Sequence, residues 1–304
     1  MKYAVGVDIG GTNSRVALYD ENMKAVDRIQ FPTNADDPEE TLKDLALVIK
    51  GFEAEERDIV GLGVSCPGPL DLVNGNIIET PNLRRKWHHY PIQKRIEELT
   101  GLPTYLENDA NLAALAEAVI GEGKDHRFVQ FLTISTGIGS GQVIDKEIYI
   151  GAHGFGHEIA NAIMWKDGPS HGSIYPGGIE AISSGTAITT RALNAGLNVR
   201  HAGEVNDLAQ EGNEVAAQIM DEAKEYLVNF IAALIAITDP EIVILGGSVA
   251  LKIDGFVEDV EDRVKDKVYD VIKPYVNLRK STLDEDSGLL GAAYLAFSKS
   301  DEEE

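Results

Sequence analysis

The sequence predicts an α/β protein made of two similar halves. Three observations carry that prediction. Short apolar runs, each closed by a turn signal, alternate with segments of helical period. Two of those runs, one in each half, share a plan: apolar strand, small hydroxylic or glycine turn, apolar return strand, over residues 4–19 and 128–144. Residues 102–119 read as a strand passing directly into a helix, with carboxylates and amides packed at the junction. At 304 residues the chain is long enough for two ordinary cores, and 43% apolar residues with 30 Gly and 11 Pro is the profile of a folded globular protein.

The first element is Ala4-Val5-Gly6-Val7-Asp8-Ile9, a buried-strand run that ends on an acid. Gly10-Gly11-Thr12-Asn13 turns the chain, and Arg15-Val16-Ala17-Leu18-Tyr19 returns it. A plain hairpin explains the glycines but not a carboxylate beside Thr12, Asn13 and Arg15. The N–H groups of a Gly-Gly turn can wrap phosphates closely because no Cβ intervenes, and Asp8 could then hold a hydrated Mg²⁺ bridging them. Residues 24–30 offer a third strand. Leu42, Leu45, Leu47, Val48 and Ile49 fall at helical spacing in residues 38–50, opened by Asp37 and Pro38 as cap and first-turn signals. A buried strand over 59–64 then runs into Ser65-Cys66-Pro67-Gly68-Pro69, a rigid turn suited to a cleft wall. Cys66 reads as a small buried filler, since no base stands at an interpretable spacing. His88 and His89, beside Arg84-Arg85-Lys86-Trp87, read as surface residues of a loop.

At the centre, Leu102-Pro103-Thr104-Tyr105-Leu106 is strand-like, and residues 112–119 are strong helix formers. Between them Glu107-Asn108-Asp109-Ala110-Asn111 puts Asp109 at or near the N-cap, where a carboxylate accepts unpaired N–H groups. Capping alone would account for it; the other reading is an ionised base at a strand end, where α/β sheets meet ligands. Residues 128–134 run into Ser135-Thr136-Gly137-Ile138-Gly139-Ser140-Gly141 and return through Gln142-Val143-Ile144. Two hairpins of one plan are far more specific than one and point to a duplicated domain with a phosphate clamp from both sides of a cleft. After the helical pattern of 214–237, Ile242-Val243-Ile244-Leu245 ends in Gly246-Gly247-Ser248, a step that lets a flat ring such as adenine approach the backbone.

The charge balance excludes some partners. With 27 basic against 50 acidic residues, the net charge of −23 repels nucleic acid and anionic membranes. Acids cluster at 36–40, 53–58, 258–262, 284–286 and 301–304, the pattern expected of a halophilic protein working in high salt. One cysteine, Cys66, rules out an intramolecular disulfide and a cysteine metal cluster and fits a reducing cytoplasm. Met1-Lys2-Tyr3 leads straight into a strand, so no signal peptide is expected. The longest apolar run, residues 230–237, is too short for a bilayer, which takes about 20 residues.

Taken together, these motifs resemble the ROK family of sugar kinases and sugar-responsive repressors, within the actin/hexokinase-like ATPase superfamily, from Tyr3 to about Phe297. Residues 8–15 are similar to the first phosphate loop, Glu107-Asn108-Asp109-Ala110-Asn111 to the catalytic motif, residues 136–141 to the second phosphate loop and residues 245–248 to the adenosine motif. The resemblance implies two actin-like (ribonuclease H-like) domains with a ligand cleft between them: 1–108 plus 287–300, and 109–286. It implies ATP with Mg²⁺ near Asp8, and phosphorylation of a hexose, first of all glucose to glucose 6-phosphate, with another hexose or an N-acetylhexosamine as the alternative acceptor. Asp109 is then the base and Asn108 a sugar ligand. Gly68 and Asn82 border the sugar, while Asp8, Gly10, Gly11, Thr12, Asn13, Arg15, Thr136, Gly137, Gly139, Gly246 and Gly247 serve ATP. A homodimer or higher homo-oligomer is also implied. Family repressors carry a DNA-binding segment ahead of the first loop; only seven residues precede Asp8 here, so a kinase is expected.

One departure stands out. The family's structural zinc is held by a histidine and three cysteines; here Asn161 stands at the histidine and His171, Ser173 and Gly178 at the cysteines. The sugar-facing acids remain as Glu158 and Glu180. The resemblance makes Asn161 a sugar contact in place of the histidine, and no zinc is expected. His153, His157, His171 and Glu158 are the residues from which a replacement metal site would have to come, but 151–155 reads as a glycine-rich turn where helical spacing has no force.

Overall fold

The computed structural model describes all residues except 81–82, 284–285 and 303–304. It divides into two compact units. One comprises residues 1–119, 147–156 and 283–304; the other comprises 120–146 and 157–282.

The first unit is built on a five-stranded sheet. β1 (Lys2–Ile9), β2 (Asn13–Asp20) and β3 (Ala25–Pro32) form an antiparallel meander. Helix α1 (Pro38–Glu53) leads to β4 (Asp58–Cys66), which lies parallel to β1. A small ribbon, β5 (Leu70–Asp71) with β6 (Asn76–Ile77), and α2 (Ile92–Thr100) precede β7 (Thr104–Asn108), parallel to β4. Helix α3 (Asp109–Val119) follows without a break. The helix start of α1 is the one the sequence predicts: the Asp37 carboxylate accepts the Glu39 N–H at 3.1 Å and Pro38 occupies the first turn.

Period-two alternation divides the core of this unit. Val5, Val7 and Ile9 cluster with Leu42, Leu45 and Ile49 of α1, whereas Ala4 joins Ala17, Tyr19 and the Leu289, Ala293 and Ala296 of the C-terminal helix (Ser287–Glu302). That helix lies close on the sheet: a Cβ at Gly63 would fall 1.9 Å from the carbonyl oxygen of Ala292, so only glycine fits. By proximity, α3 belongs to this unit, although the sequence division at 108/109 grouped it with the second half. The 84–87 run is a surface turn with one exception. Trp87 is fully buried and donates its indole N–H to the Asn34 carbonyl at 3.0 Å, while His88 and His89 stay at or near the surface.

The second unit centres on β8 (Phe128–Ile134) and β9 (Ile138–Ile144), paired antiparallel. β8 also runs parallel to strand Ile242–Gly246, which in turn pairs parallel with Leu278–Lys280. Between them come α4 (Ile179–Ser183), α5 (Gly185–Asn194), α6 (Ala202–Gln210) and the long α7 (Glu214–Thr238). Asn213 caps α7 by accepting the Ala216 N–H at 3.0 Å. Its buried stripe of Ile219, Met220, Ala223, Leu227, Ile231, Leu234 and Ile235 recurs at helical spacing and joins the core with Leu132, Ile134, Val243 and Leu245. Residues 157–178 form an irregular segment, closed by bridges between Ile163 and Gly178 and between His171 and Ile174. Among the described residues, no helix is long and apolar enough to cross a membrane.

Candidate active site

The expected site residues fall into two groups, one in each unit. In the first unit, β1, β4 and β7 are parallel, so their carboxyl ends share one edge of the sheet, the usual ligand edge of such folds. In register, Asp8 pairs with Ser65, Ser65 with Glu107, and Cys66 with Asn108. Asp109 is the next residue. The sequence placed Asp109 at or near the cap of α3, and it is the first helical residue; Asn108 just before it also accepts the Ala110 N–H through Oδ1 at 2.8 Å. β7 stays extended through Asn108, which makes it the last non-helical residue. Asp109 therefore stands in the first turn, where the helix dipole favours a negative charge, and its Oδ1 shares the Ala110 N–H at 2.8 Å.

Glu107 holds this corner from inside. It is 5% exposed, and its Oε1 accepts both the Asn108 N–H at 2.7 Å and the Asn111 side-chain amide at 2.9 Å. Cys66 is fully buried, and burial, followed by the negative charges of Asp109 and Asp8, pushes its thiol far above the usual range. That excludes a thiolate nucleophile and keeps the filler reading. Both carboxylates thus act on one buried sulfur, which puts them at the same end of the sheet.

Asp8 is oriented by Arg15, which donates from Nε at 3.0 Å and from Nη2 at 2.7 Å to the same Oδ2. Arg15 also lies 3.8 Å from Asp286, a second carboxylate neighbour for its guanidinium. Oδ1 of Asp8 has no partner among the described residues. It suits a water of hydrated Mg²⁺, a hard ion that keeps much of its hydration shell. The Gly10 N–H bonds the Asn13 carbonyl at 3.1 Å to close the turn, which leaves the Thr12 and Asn13 side chains exposed. Gly68 is half-buried in the turn after β4, and Asn82 lies outside the described residues.

In the second unit the β8–β9 turn is gripped from three sides. The Ser135 carbonyl accepts the Gly185 N–H at the start of α5 at 2.7 Å. The Ser135 hydroxyl meets that of Ser248 at 3.2 Å, and the Ile138 N–H donates to Oε2 of Glu180 at 2.9 Å. These bonds bring Thr136, Gly137 and Glu180 together with the Gly246-Gly247-Ser248 step; Gly139 follows in β9, opposite Thr133. Gly247 has a φ of +82° and a Cβ there would lie 2.5 Å from the Ile134 carbonyl, so the close approach of strand and turn requires glycine.

Glu158 and Glu180 sense each other. Crowding by neighbouring protein atoms, then the like charge of Glu180, raises the Glu158 carboxyl above its ordinary range, although its surface remains open to water. Asn161 spends its carbonyl on the Tyr175 N–H at 2.8 Å, so its NH₂ is the group left for a ligand. Among the described residues no group of three or more His, Cys, Asp or Glu side chains is placed to hold a metal. The sequence reading missed the corner role of Glu107 and the packing of Trp165, which stacks on Tyr226 with ring centres 5.0 Å apart and lies 5.7 Å from the Arg191 guanidinium. An acid inside an otherwise apolar strand was the available signal for Glu107; Trp165 offered none.

A family model described as the ROK family matches residues 4–299. The glucokinase of Thermotoga maritima is 31% identical over 306 residues, covering 95% of each chain. The N-acetylmannosamine kinase of Salmonella typhi is 32% identical over 298 residues, covering 96% of this chain and 97% of that one. Among solved structures, the ROK hexokinase of Thermus thermophilus matches with a TM-score of 0.89 at 31% identity, covering 99% of both chains.

Proposed function

The chain belongs to the ROK family, and we propose that it is an ATP-dependent kinase that phosphorylates a hexose, first of all glucose, on its 6-hydroxyl. The sugar-kinase class rests on relatives matched along nearly their whole length. The observation that carries the mechanism is the corner after β7, where Asp109 opens α3 at the carboxyl end of the sheet and shares the Ala110 N–H with Asn108. Asp109 accepts the proton of the attacking hydroxyl, and the Asn108 NH₂ donates to a neighbouring one. Phosphoryl transfer is loose in character, so holding the hydroxyl in line with the phosphorus matters more than a strong base. The turns at 10–13 and 135–137 offer N–H groups and hydroxyls to the phosphates, and the Gly246–Gly247 step admits the adenine. Mg²⁺ carried by ATP would neutralise phosphate charge, with Asp8 holding one of its waters. Glu158, Glu180 and the Asn161 amide serve the remaining sugar hydroxyls.

The N-acetylmannosamine kinase relative supports a second reading, in which an N-acetylhexosamine is the acceptor. A coupled assay of ATP consumption over glucose, mannose, N-acetylglucosamine and N-acetylmannosamine separates the two. The first reading expects the highest kcat/KM on glucose; a preference for N-acetylmannosamine would establish the second. No sugar-dependent ATP consumption with any of them would sink both.

A further inference from the structure

His157 occupies a backbone position that costs it energy. Its φ is +66°, the left-handed region that a non-glycine residue rarely adopts without compensation. The side chain shows what compensates. His157 Nε2 lies 3.1 Å from Oε1 of Gln142, and Nε2 of Gln142 lies 3.3 Å from Oε1 of Gln130. Nε2 of Gln130 reaches the Ser140 hydroxyl at 2.7 Å and the Gly141 carbonyl at 3.0 Å. Gln130 and Gln142 face each other across β8 and β9, and both are buried at 3% exposure or less. A buried pair of glutamines between two strands is costly unless every group is matched, and here the matching has one sense. The Gly141 carbonyl can only accept, so Gln130 donates to it; Gln142 then donates to Gln130, and its own oxygen accepts from His157. The proton of the neutral imidazole is thereby fixed on Nε2. Burial also lowers the imidazole pKa, which agrees with a neutral ring.

The residue after His157 is Glu158, whose carboxylate has no hydrogen bond or ion pair among the described residues. Its placement therefore depends on its backbone. The far side of this segment is tied to α4, since the Ala160 and Ala162 carbonyls accept the Glu180 and Ile179 N–H groups at 3.3 and 2.9 Å. The near side is hooked by His157 onto the hairpin that carries Thr136 and Gly137. We propose that His157 is a positioning residue: through Gln142 and Gln130 it locks Glu158 to the phosphate-side hairpin, fixing the distance between the sugar-binding acid and that turn. The inference rests on the reading of Glu158 as a hexose ligand.

Three full-length variants test it: His157→Gly, Gln142→Met and the double variant, with Glu158→Gln as the reference. Glycine suits φ +66° better than histidine, and methionine keeps the volume of glutamine, so both singles should fold. Each should raise the hexose KM about fivefold or more while the ATP KM and kcat stay within about twofold, and the double variant should be no worse than the weaker single. ¹⁵N-histidine NMR should show His157 protonated on Nε2 in the parent and a changed tautomer balance in Gln142→Met. An Nδ1–H tautomer in the parent, equal losses in the KM values for sugar and ATP, or additive effects in the double variant would overturn the proposal. Should Glu158→Gln raise the hexose KM while His157→Gly does not, the lock is wrong and the sugar assignment stands. Should Glu158→Gln leave the hexose KM unchanged, the assignment fails and takes the lock with it.

Discussion

At the scale of single residues, the chemistry of the candidate site depends on which group takes which hydrogen bond. Asn108 and Asp109 are both good caps by type, so sequence cannot decide between them. The extent of β7 decides: Asn108 is its last residue and Asp109 the first of α3. Glu107 accepts two N–H donors at the same corner. Glu107→Ala should destabilise the protein by about 1–3 kcal/mol, because the buried Asn111 amide loses its acceptor; urea unfolding measures this, and an unchanged midpoint would argue against the corner role. Glu158 gives a pH prediction. Its carboxyl ionises above the usual glutamate range, so the charged acceptor is present at high pH and is lost as pH falls through that raised range. The hexose KM should rise on that acid limb, and Glu158→Gln should flatten it. As candidates, Asp8 and Asp109 were visible in the sequence, Asp8 because a plain hairpin does not explain a carboxylate at the end of an apolar strand and Asp109 because acids and amides crowd the strand–helix junction. The left-handed backbone of His157 was not, since nothing in residue type announces a positive φ.

Elements with strong periodicity were read closely from the sequence: α1 begins at the Asp37–Pro38 signal and α7 spans Glu214–Thr238. Residues 157–178 have no such period, and the contacts that hold them join positions far apart in the chain. The aromatic stack of Trp165 on Tyr226, with Arg191 beside it, reaches from this segment to α5 and α7. Trp165→Ala should cost about 1–2 kcal/mol in thermal or urea unfolding, the sum expected for one aromatic pair and one cation–π contact. Asn161, which stands where the resemblance implies a zinc-binding histidine, accepts the Tyr175 N–H and so ties the segment to itself. We therefore expect the purified protein to hold no stoichiometric zinc, and a strong chelator followed by fresh Mg²⁺ to leave activity unchanged. One tightly bound zinc per chain in elemental analysis would contradict this. In the first unit the packing of the C-terminal helix turns on Gly63, whose lack of a side chain admits the Ala292 carbonyl. Sequence shows the glycine but not the helix it accommodates.

At the scale of the molecule, the fold is the α/β one the sequence predicts, with mixed sheets in two units. Strand patterns and the paired hairpins made it legible, while the grouping of α3 was not, because that helix is apolar on nearly every side. The net charge of −23 is a property of the whole surface. Self-repulsion of that size is relieved as the Debye length shrinks to about 3 Å at 1 M salt, so the melting temperature should climb as KCl is raised to molar levels. A flat or falling trend would remove the halophile reading. The central claim is that this chain transfers phosphate to a hexose with Asp109 as the base. The direct test compares kcat of the parent and Asp109→Asn on the preferred hexose, with sugar binding followed separately by the thermal shift it produces. The account predicts a kcat lower by about 10²- to 10⁴-fold with the sugar-induced shift retained; turnover within a few-fold of the parent would contradict it.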